Sequence, residues 1–454
     1  MRRPWFPRLP RPVLSAAALA ALLAWMPAQA ITTEELAKRL EVLEAQSAAL
    51  QAKVDRLEAA QAGRVSAAPT QAPPTAPVAV AEVVPRPDAA ETTVSSYGEI
   101  AYTRPTRAQD KANVDVARAV IGITHRFDER TRMVGEWEWE HAVTSSGDSG
   151  EAEVEQLFVE REFDSGLRGR AGLFLMPVGL INQNHEPTAY YGVFRPDVDT
   201  RIVPSTWREA GLGLSGDTQG GVSWDAGITT GPNLSKWDAT SDEGRVRGPL
   251  AAIHGEGQFA TARDPLWHGA ASWRGLPGLL VAGSVVTGKI GQEQPGFPGN
   301  ASRLVFFDLH ARYEVQGWDF AAEYVRGTIS HTEALNTSFA QGASGPVTLV
   351  PARFFGAYAQ AAYRFRFGGG YTLIPFTRYE ILNTAASYGA LPASPGGVAQ
   401  PDEKIWTVGA SLRIGEGIVV KADFRRYRNE QRPSDIPDGF VKGNSINVGV
   451  GYSF

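Results

Sequence analysis

The stretch GEWEWEH, residues 135–141, sets three carboxylates and an imidazole side by side. Those side-chain types could hold a metal or move protons, but their spacing argues otherwise. Successive side chains of a strand point to opposite faces, so Glu136, Glu138 and Glu140 share one face while Trp137, Trp139 and His141 take the other. Four ligands do not converge, as a structural metal site requires. The chain's seven histidines are scattered, and it contains no HExxH, no Gly-x-Ser-x-Gly elbow and no phosphate-cradling glycine loop. The expectation is therefore no catalytic residue, no metal site and no cofactor, in a protein that is not an enzyme.

The same carboxylates have another use, which is to line water. Gln156, Glu160 and Glu162 continue the phase of Glu136, Glu138 and Glu140 on the next strand, and together these residues form a candidate acidic wall. Far along the chain, Arg364 and Arg366, then Arg378, then Arg413, then Lys421 and Arg425 share an inward phase; Arg168 and Arg170 add to this candidate basic wall. Charged side chains are costly against lipid, so a lumen is the place for such sets if the strands cross a membrane. Opposed walls of opposite sign would impose a transverse field that orients dipolar solutes.

The elements that must hold these walls are strands. From 94 to the end the chain alternates apolar and polar residues in about sixteen segments, each of roughly the length a tilted membrane-crossing strand needs. Their connections alternate in length without exception. Short turns are expected at 127–130, 164–166, 216–220, 275–277, 315–316, 367–370 and 415, and the intervening connections are longer, above all 177–205 and 230–264. Soluble sandwiches and propellers lack that rhythm. They also lack the aromatic banding of Trp137, Trp139, Trp318, Tyr324, Tyr363 and Trp406. The expected fold is all-β: an antiparallel transmembrane β-barrel of about sixteen strands over 94–454, preceded by a short α-helical coiled coil.

The N-terminal part reads differently. Residues 1–30 carry Arg2, Arg3, Arg8 and Arg11, an apolar run from Val13 to Trp25, and Ala28-Gln29-Ala30, the pattern of a secretory signal peptide. Over 31–62, Leu36, Leu40, Leu43, Leu50, Val54 and Leu57 trace a heptad seam with one polar interruption at Ser47. Arg39 and Lys53 at g face Glu44 and Glu58 at e, as parallel helices favour. Leucine at both core positions leaves dimer and trimer open, and an amphipathic helix packed on the main domain is the alternative. Residues 63–93, rich in Pro and Ala, read as an extended linker. The chain has no cysteine, so no disulfide supports it outside the cytoplasm, and a net charge of −5 argues against a nucleic-acid partner.

The last stretch, SINVGVGYSF, alternates to its end, and Tyr452 and Phe454 look like the terminal assembly signal that the barrel-insertion machinery of outer membranes recognises. Residues 170–216, RAGLFLMPVGLINQNHEPTAYYGVFRPDVDTRIVPSTWREAGLGLSG, and SYGEIAY at 96–102 go further. They resemble the phosphate-selective porin O and P family. The resemblance implies a sixteen-stranded, homotrimeric channel in the bacterial outer membrane; the coiled coil, an addition to that pattern, is expected in the periplasm, where peptidoglycan is its candidate partner. It does not carry phosphate specificity, which goes with arginine and lysine ladders in some members, and this chain is poor in lysine.

Read from its own residues, the connection 177–205 is the third external loop, stiffened by Pro177, Pro187, Pro196 and Pro204 and anchored by Tyr190, Tyr191, Phe194 and Trp207. A loop folded into the lumen needs both stiffness and aromatic anchors, and Arg195, Asp197, Asp199 and Arg201 are candidates for its polar edge. A loop that seals a subunit interface is the alternative. The resulting expectation is a water-filled channel through which small hydrophilic solutes and ions diffuse passively. Its alternatives are a channel selective for phosphate or another anion, an outer-membrane enzyme, and a cell-wall tether.

Overall fold

A computed structural model describes residues 91–454 except 108, 146, 149, 343, 344, 346, 391–400 and 429–443. The signal segment, the helix over 31–62 with Leu36, Leu40, Leu43, Leu50, Val54 and Leu57, and the linker up to 90 lie outside the described residues.

Sixteen antiparallel strands close into one barrel. They are β1 (Thr92–Pro105), β2 (Asn113–Arg126), β3 (Thr131–Glu140), β4 (Ala152–Glu162), β5 (Arg168–Leu175), β6 (Arg208–Asp217), β7 (Val222–Thr229) and β8 (Leu266–Trp273). The second half comprises β9 (Leu279–Lys289), β10 (Arg303–Val315), β11 (Trp318–Ser330), β12 (Arg353–Tyr363, resuming at Phe365–Arg366), β13 (Tyr371–Ser387), β14 (Glu403–Ile414), β15 (Ile418–Arg428) and β16 (Ser445–Ser453). Every strand pairs with its sequence neighbours, so the connections are hairpins, short at one end of the barrel and long at the other. Closure is β1 on β16, and it runs to the last residue: Phe454 N donates to Ser96 O at 3.0 Å, and Ser96 N to Phe454 O at 3.1 Å.

Alternation explains why these segments form this wall. On β16, Ile446, Val448, Val450 and Tyr452 face outward and are exposed, while Ser445, Asn447 and Gly451 face inward and are buried. Closed pairing satisfies every strand edge, and the outward faces can remain apolar. The aromatics Trp139, Trp318, Tyr324 and Trp406 all stand on that outer face.

Three irregularities break the rhythm, one of them where β12 meets β13, between Arg353 and Phe355. Glu99 pairs with Arg118 but Ile100 with Val116, so β2 carries Ala117 as an extra residue. Between β3 and β4, Glu136 pairs with Gln156 but Trp137 with Val154, and Glu155 is the extra residue. A bulge re-aims a side chain, and here it turns Glu155 into the lumen, fully buried.

Candidate functional site: the lumen and its inserted loop

The connection from β5 to β6, residues 176–207, folds into the barrel. Its neck is closed by one amide. Asn182 Nδ2 donates to Met176 O and Trp207 O at 2.8 and 2.9 Å, and Trp207 N donates to Asn182 Oδ1 at 2.7 Å. Beyond the neck the loop crosses the lumen and is held at both walls by inward side chains, which satisfy its backbone and hydroxyl groups as buried polar groups require.

At the first wall, Tyr97 of β1, Glu155 of β4 and His185 of the loop form a buried cluster. The Tyr97 hydroxyl donates to Glu155 Oε2 at 2.9 Å and lies 2.6 Å from His185 Nε2, which is 2.8 Å from Glu155 Oε1. Burial opposes the charged imidazole, but the Glu155 carboxylate outweighs it and holds the His185 pKa above its ordinary value. Next along the loop, the Tyr190 hydroxyl donates to Glu99 at 2.6 Å, and the Lys421 ammonium sits 3.6 Å from the centre of the Tyr190 ring.

At the far wall, Leu180 N donates to Glu323 at 3.1 Å, the Tyr191 hydroxyl to Asp319 at 2.7 Å, and Val193 N to Asp423 at 2.6 Å. Arg378 donates to the carbonyls of Tyr191 and Phe194 at 3.1 and 3.4 Å. Arg201 forms a bidentate pair with Glu403, both contacts at 2.9 Å, the strong geometry for a guanidinium and a carboxylate.

Small residues let the loop approach this closely. A Cβ on Gly451 of β16 would lie 2.4 Å from Pro187, and one on Gly356 of β12 would lie 3.0 Å from Val198 and Ile202. Val198–Ile202 form one wide helical turn, closed by Val203 N on Val198 O at 3.0 Å, and its apolar side rests on that glycine.

Arg195, Asp197, Asp199 and Arg201 are all buried between loop and wall. Arg195 donates to Ser205 Oγ at 2.8 Å, Asp197 pairs with Arg425, and Arg201 pairs with Glu403. Burial, reinforced by the Glu380 carboxylate, pushes the Asp199 carboxyl from the ordinary 3.8 up to about 8.

The basic set faces inward on β5 and on β12–β15, and it divides by depth. Arg378, Lys421 and Arg425 are buried beneath the loop. By contrast Arg364, Arg366 and Arg413 border a cavity of about 450 Å³ toward the short-turn end, with Arg312, Glu314 and Glu416. A second cavity, of about 470 Å³, is bordered by Arg168, Glu160, Asp225, His310 and again Arg312. Asn184 of the loop and Arg312 of β10 border both. Arg170 pairs with Asp225 at 2.9 Å over the Phe174 ring.

The acidic set faces inward on β3 and β4. Glu138 is buried 3.9 Å from Arg118, Glu136 and Glu140 are half-buried, Glu160 pairs with Arg132 at 2.7 Å, and Glu162 is exposed near a short turn. Sequence reasoning missed Glu155, because the bulge shifts the phase of β4. It also passed over Arg312, although Asp308, His310, Arg312 and Glu314 repeat every second residue on β10.

Toward the long-loop end the lumen is filled rather than wet. Phe174, Trp207, Phe306 and Phe354 pack with Trp237, Leu250 and Ile253 of the connection 230–265 and with Leu335 and Val350 of the connection 331–352. The Trp207 and Phe306 rings meet edge to face, with centroids 5.5 Å apart.

No family model matches the chain. An uncharacterized protein of Aquifex aeolicus (strain VF5) is 28% identical over 352 residues, covering 76% of this chain and 77% of that one. Among solved structures, Salmonella typhi OmpF in complex with daunomycin aligns with a TM-score of 0.56 at 16% identity, over 80% of this chain and 97% of that chain. An anion-selective porin from Comamonas acidovorans aligns with a TM-score of 0.50 at 11% identity, over 81% of this chain and 100% of that chain. At such identities the likeness carries the fold: a closed barrel of the outer-membrane porin type.

Proposed function

We propose that the protein is an outer-membrane porin through which small hydrophilic solutes and ions diffuse passively. The observation that carries this reading is the inserted loop 176–207, fastened to both walls, with two cavities of about 450 and 470 Å³ left beside it. A loop closed at its neck by Asn182 and tied to the wall by His185, Tyr190 and Arg201 narrows a lumen to a fixed gauge. Glu160 and Asp225 border one cavity, Arg364, Arg366 and Arg413 the other, an arginine-bordered chamber, and Asn184 and Arg312 border both. Carboxylates and guanidinium groups thus both line the space beside the loop, an arrangement that would orient dipolar molecules.

The chamber favours a second reading, a channel selective for phosphate or another anion. Arg312, Arg364, Arg366 and Arg413 border it against only two carboxylates, Glu314 and Glu416. Residues 1–30 would act as the export signal, 31–62 as a periplasmic coiled coil within a homotrimer, and 63–93 as the linker. Tyr452 and Phe454 would be read by the barrel-insertion machinery, and peptidoglycan remains the candidate partner of the periplasmic helix.

Single-channel recording of the purified protein in planar bilayers tests the reading. Discrete, ohmic current steps are the expected result. Folded, inserted barrels that pass no current would overturn the channel and leave an enzyme or a tether. A reversal potential near the anion equilibrium value would favour the selective reading.

A further inference from the structure

The inserted loop encloses a positive charge that no carboxylate meets. Five arginines are buried among the described residues, and four of them pair with a carboxylate: Arg201 with Glu403, Arg208 with Glu153, Arg378 with Glu380 and Arg425 with Asp197. Arg195 is the fifth, 4% exposed, and it forms no ion pair with any described residue. Its bond is from Nη1 to Ser205 Oγ, at 2.8 Å, across the base of the turn at Val198–Ile202. The other two nitrogens, Nε and Nη2, are buried without an acceptor among the described residues.

Those two nitrogens act as one unit. In a guanidinium, Nε–H and an N–H of the amino group trans to Cδ point the same way and form the fork that takes two oxygens of an oxyanion. Arg312 uses that fork in the same lumen: its Nε donates to Asp319 Oδ1 at 3.0 Å and its Nη2 to Asp319 Oδ2 at 2.6 Å. Burying a guanidinium without a counter-charge costs several kcal/mol in the protein interior. The carboxylate nearest in sequence, Asp197, is held by Arg425 and lies 3.6 Å from Arg201. Four buried arginines thus obey the pairing rule with carboxylates of this chain, and the fifth requires an anion from outside it.

We propose that Arg195 anchors an enclosed oxyanion site within the inserted loop, for inorganic phosphate or a small carboxylate. The Nε–Nη2 fork takes two oxygens of the anion, while Nη1 keeps its bond to Ser205. Ser205 is exposed and the guanidinium is not, so the serine marks the side from which water and the anion arrive. Arg195 stands on one leg of the loop and Ser205 on the other, ten residues on. An anion on the fork therefore neutralises the charge that the closed loop buries and steadies both legs. Neither residue borders the two cavities beside the loop, and the site does not depend on the barrel conducting.

Thermal midpoints of the full-length protein in detergent micelles test this, with phosphate, acetate or chloride as the added anion at equal ionic strength. The wild-type midpoint should rise saturably with an oxyanion and not with chloride. A rise with phosphate alone assigns a tetrahedral anion, and a rise with acetate as well assigns any two-oxygen face. Arg195→Lys keeps the charge without the fork, so it should need at least about tenfold more oxyanion for the half-maximal shift, on the order of 1.4 kcal/mol. Arg195→Met removes the buried charge. Its midpoint should equal or exceed that of the wild type in chloride, fall below it in saturating oxyanion, and not respond to the anion. A wild type that melts identically in all three anions overturns the proposal, as does a Lys or Met variant that responds as the wild type does. A Met variant less stable by the same margin in every anion also overturns it, leaving Arg195 a structural residue only. If the Met variant does not fold, the wild-type titration and the Lys variant decide. Bilayer conductance of the same samples separates this site from the channel reading. A wild type that conducts but has no oxyanion-dependent midpoint sinks the site alone, and one that has it without conducting supports the site and sinks the channel.

Discussion

The two ends of the lumen are built on the same strands and differ in almost everything else. Toward the long loops, the inward residues of β9–β12 include Val286, Leu304, Phe306, Val325, Ile329 and Phe354, and they share one hydrophobic core with loop side chains. Toward the short turns, the same strands present Arg312, Glu314 and Arg364 to open cavities. Facing inward in a barrel is therefore not the same as facing water. Where long connections fold back, the inward face becomes a hydrophobic core, held as any core is held; where turns are short, nothing covers the wall and its residues must be polar. The polarity of inward residues along a single strand thus records how far the loops reach down.

Removing the inserted loop is the largest disturbance to this contrast. Deleting 184–200 should raise single-channel conductance several-fold, because the segment that crosses the lumen is gone. An unchanged conductance in planar bilayers would mean that the current follows a path the loop does not touch.

A single substitution in the filled half comes next. Phe306 is fully buried against Trp207 and Phe354, and Phe306→Ala should destabilise the barrel by about 3–5 kcal/mol. Arg364→Gln, in the wet half, should cost far less, and urea unfolding from vesicles would compare the two. Comparable losses would erase the distinction between the halves.

The seam between the halves should respond to pH. The folded-state pKa of Asp199 is raised, from the ordinary 3.8 to about 8. An unfolded chain releases this proton from about pH 4 upward, whereas the folded chain keeps it, so the group's contribution is fullest below pH 4 and declines as pH rises toward 8. The thermal midpoint of the wild type should fall between pH 5 and pH 8 by more than that of Asp199→Asn. Parallel midpoints in the two proteins would show that this carboxyl does not hold the loop.

The smallest effect should be on ion preference. Arg366→Gln with Arg413→Gln, at the edge of the wet chamber, should shift the reversal potential toward cations. Arg378→Gln should leave it nearly unchanged and lower stability instead, since Arg378 is 1% exposed and spends its donors on loop carbonyls. A shift of equal size from Arg378 would place that guanidinium in the conducting path.

The architecture was legible along the chain because a two-residue period and a short-long loop rhythm are local properties. Each of the sixteen strands lies within a few residues of where alternation puts it. Legibility failed at Glu155, where one extra residue in β4 turns a carboxylate into the lumen, since a bulge exists only in the pairing of two strands. It failed again for the four polar residues of the loop. Sequence places Arg195, Asp197, Asp199 and Arg201 in a stiff, amphipathic segment but does not say which side of that segment meets the wall. Their partners, Ser205, Arg425 and Glu403, are drawn in part from strands more than two hundred residues away. The period of the side chains and the lengths of the connections were determined by the sequence itself. Which inward residues stay wet and which are sealed was decided only in three dimensions, because that depends on where a distant loop comes to rest and on the glycines, Gly356 and Gly451, that let it settle there.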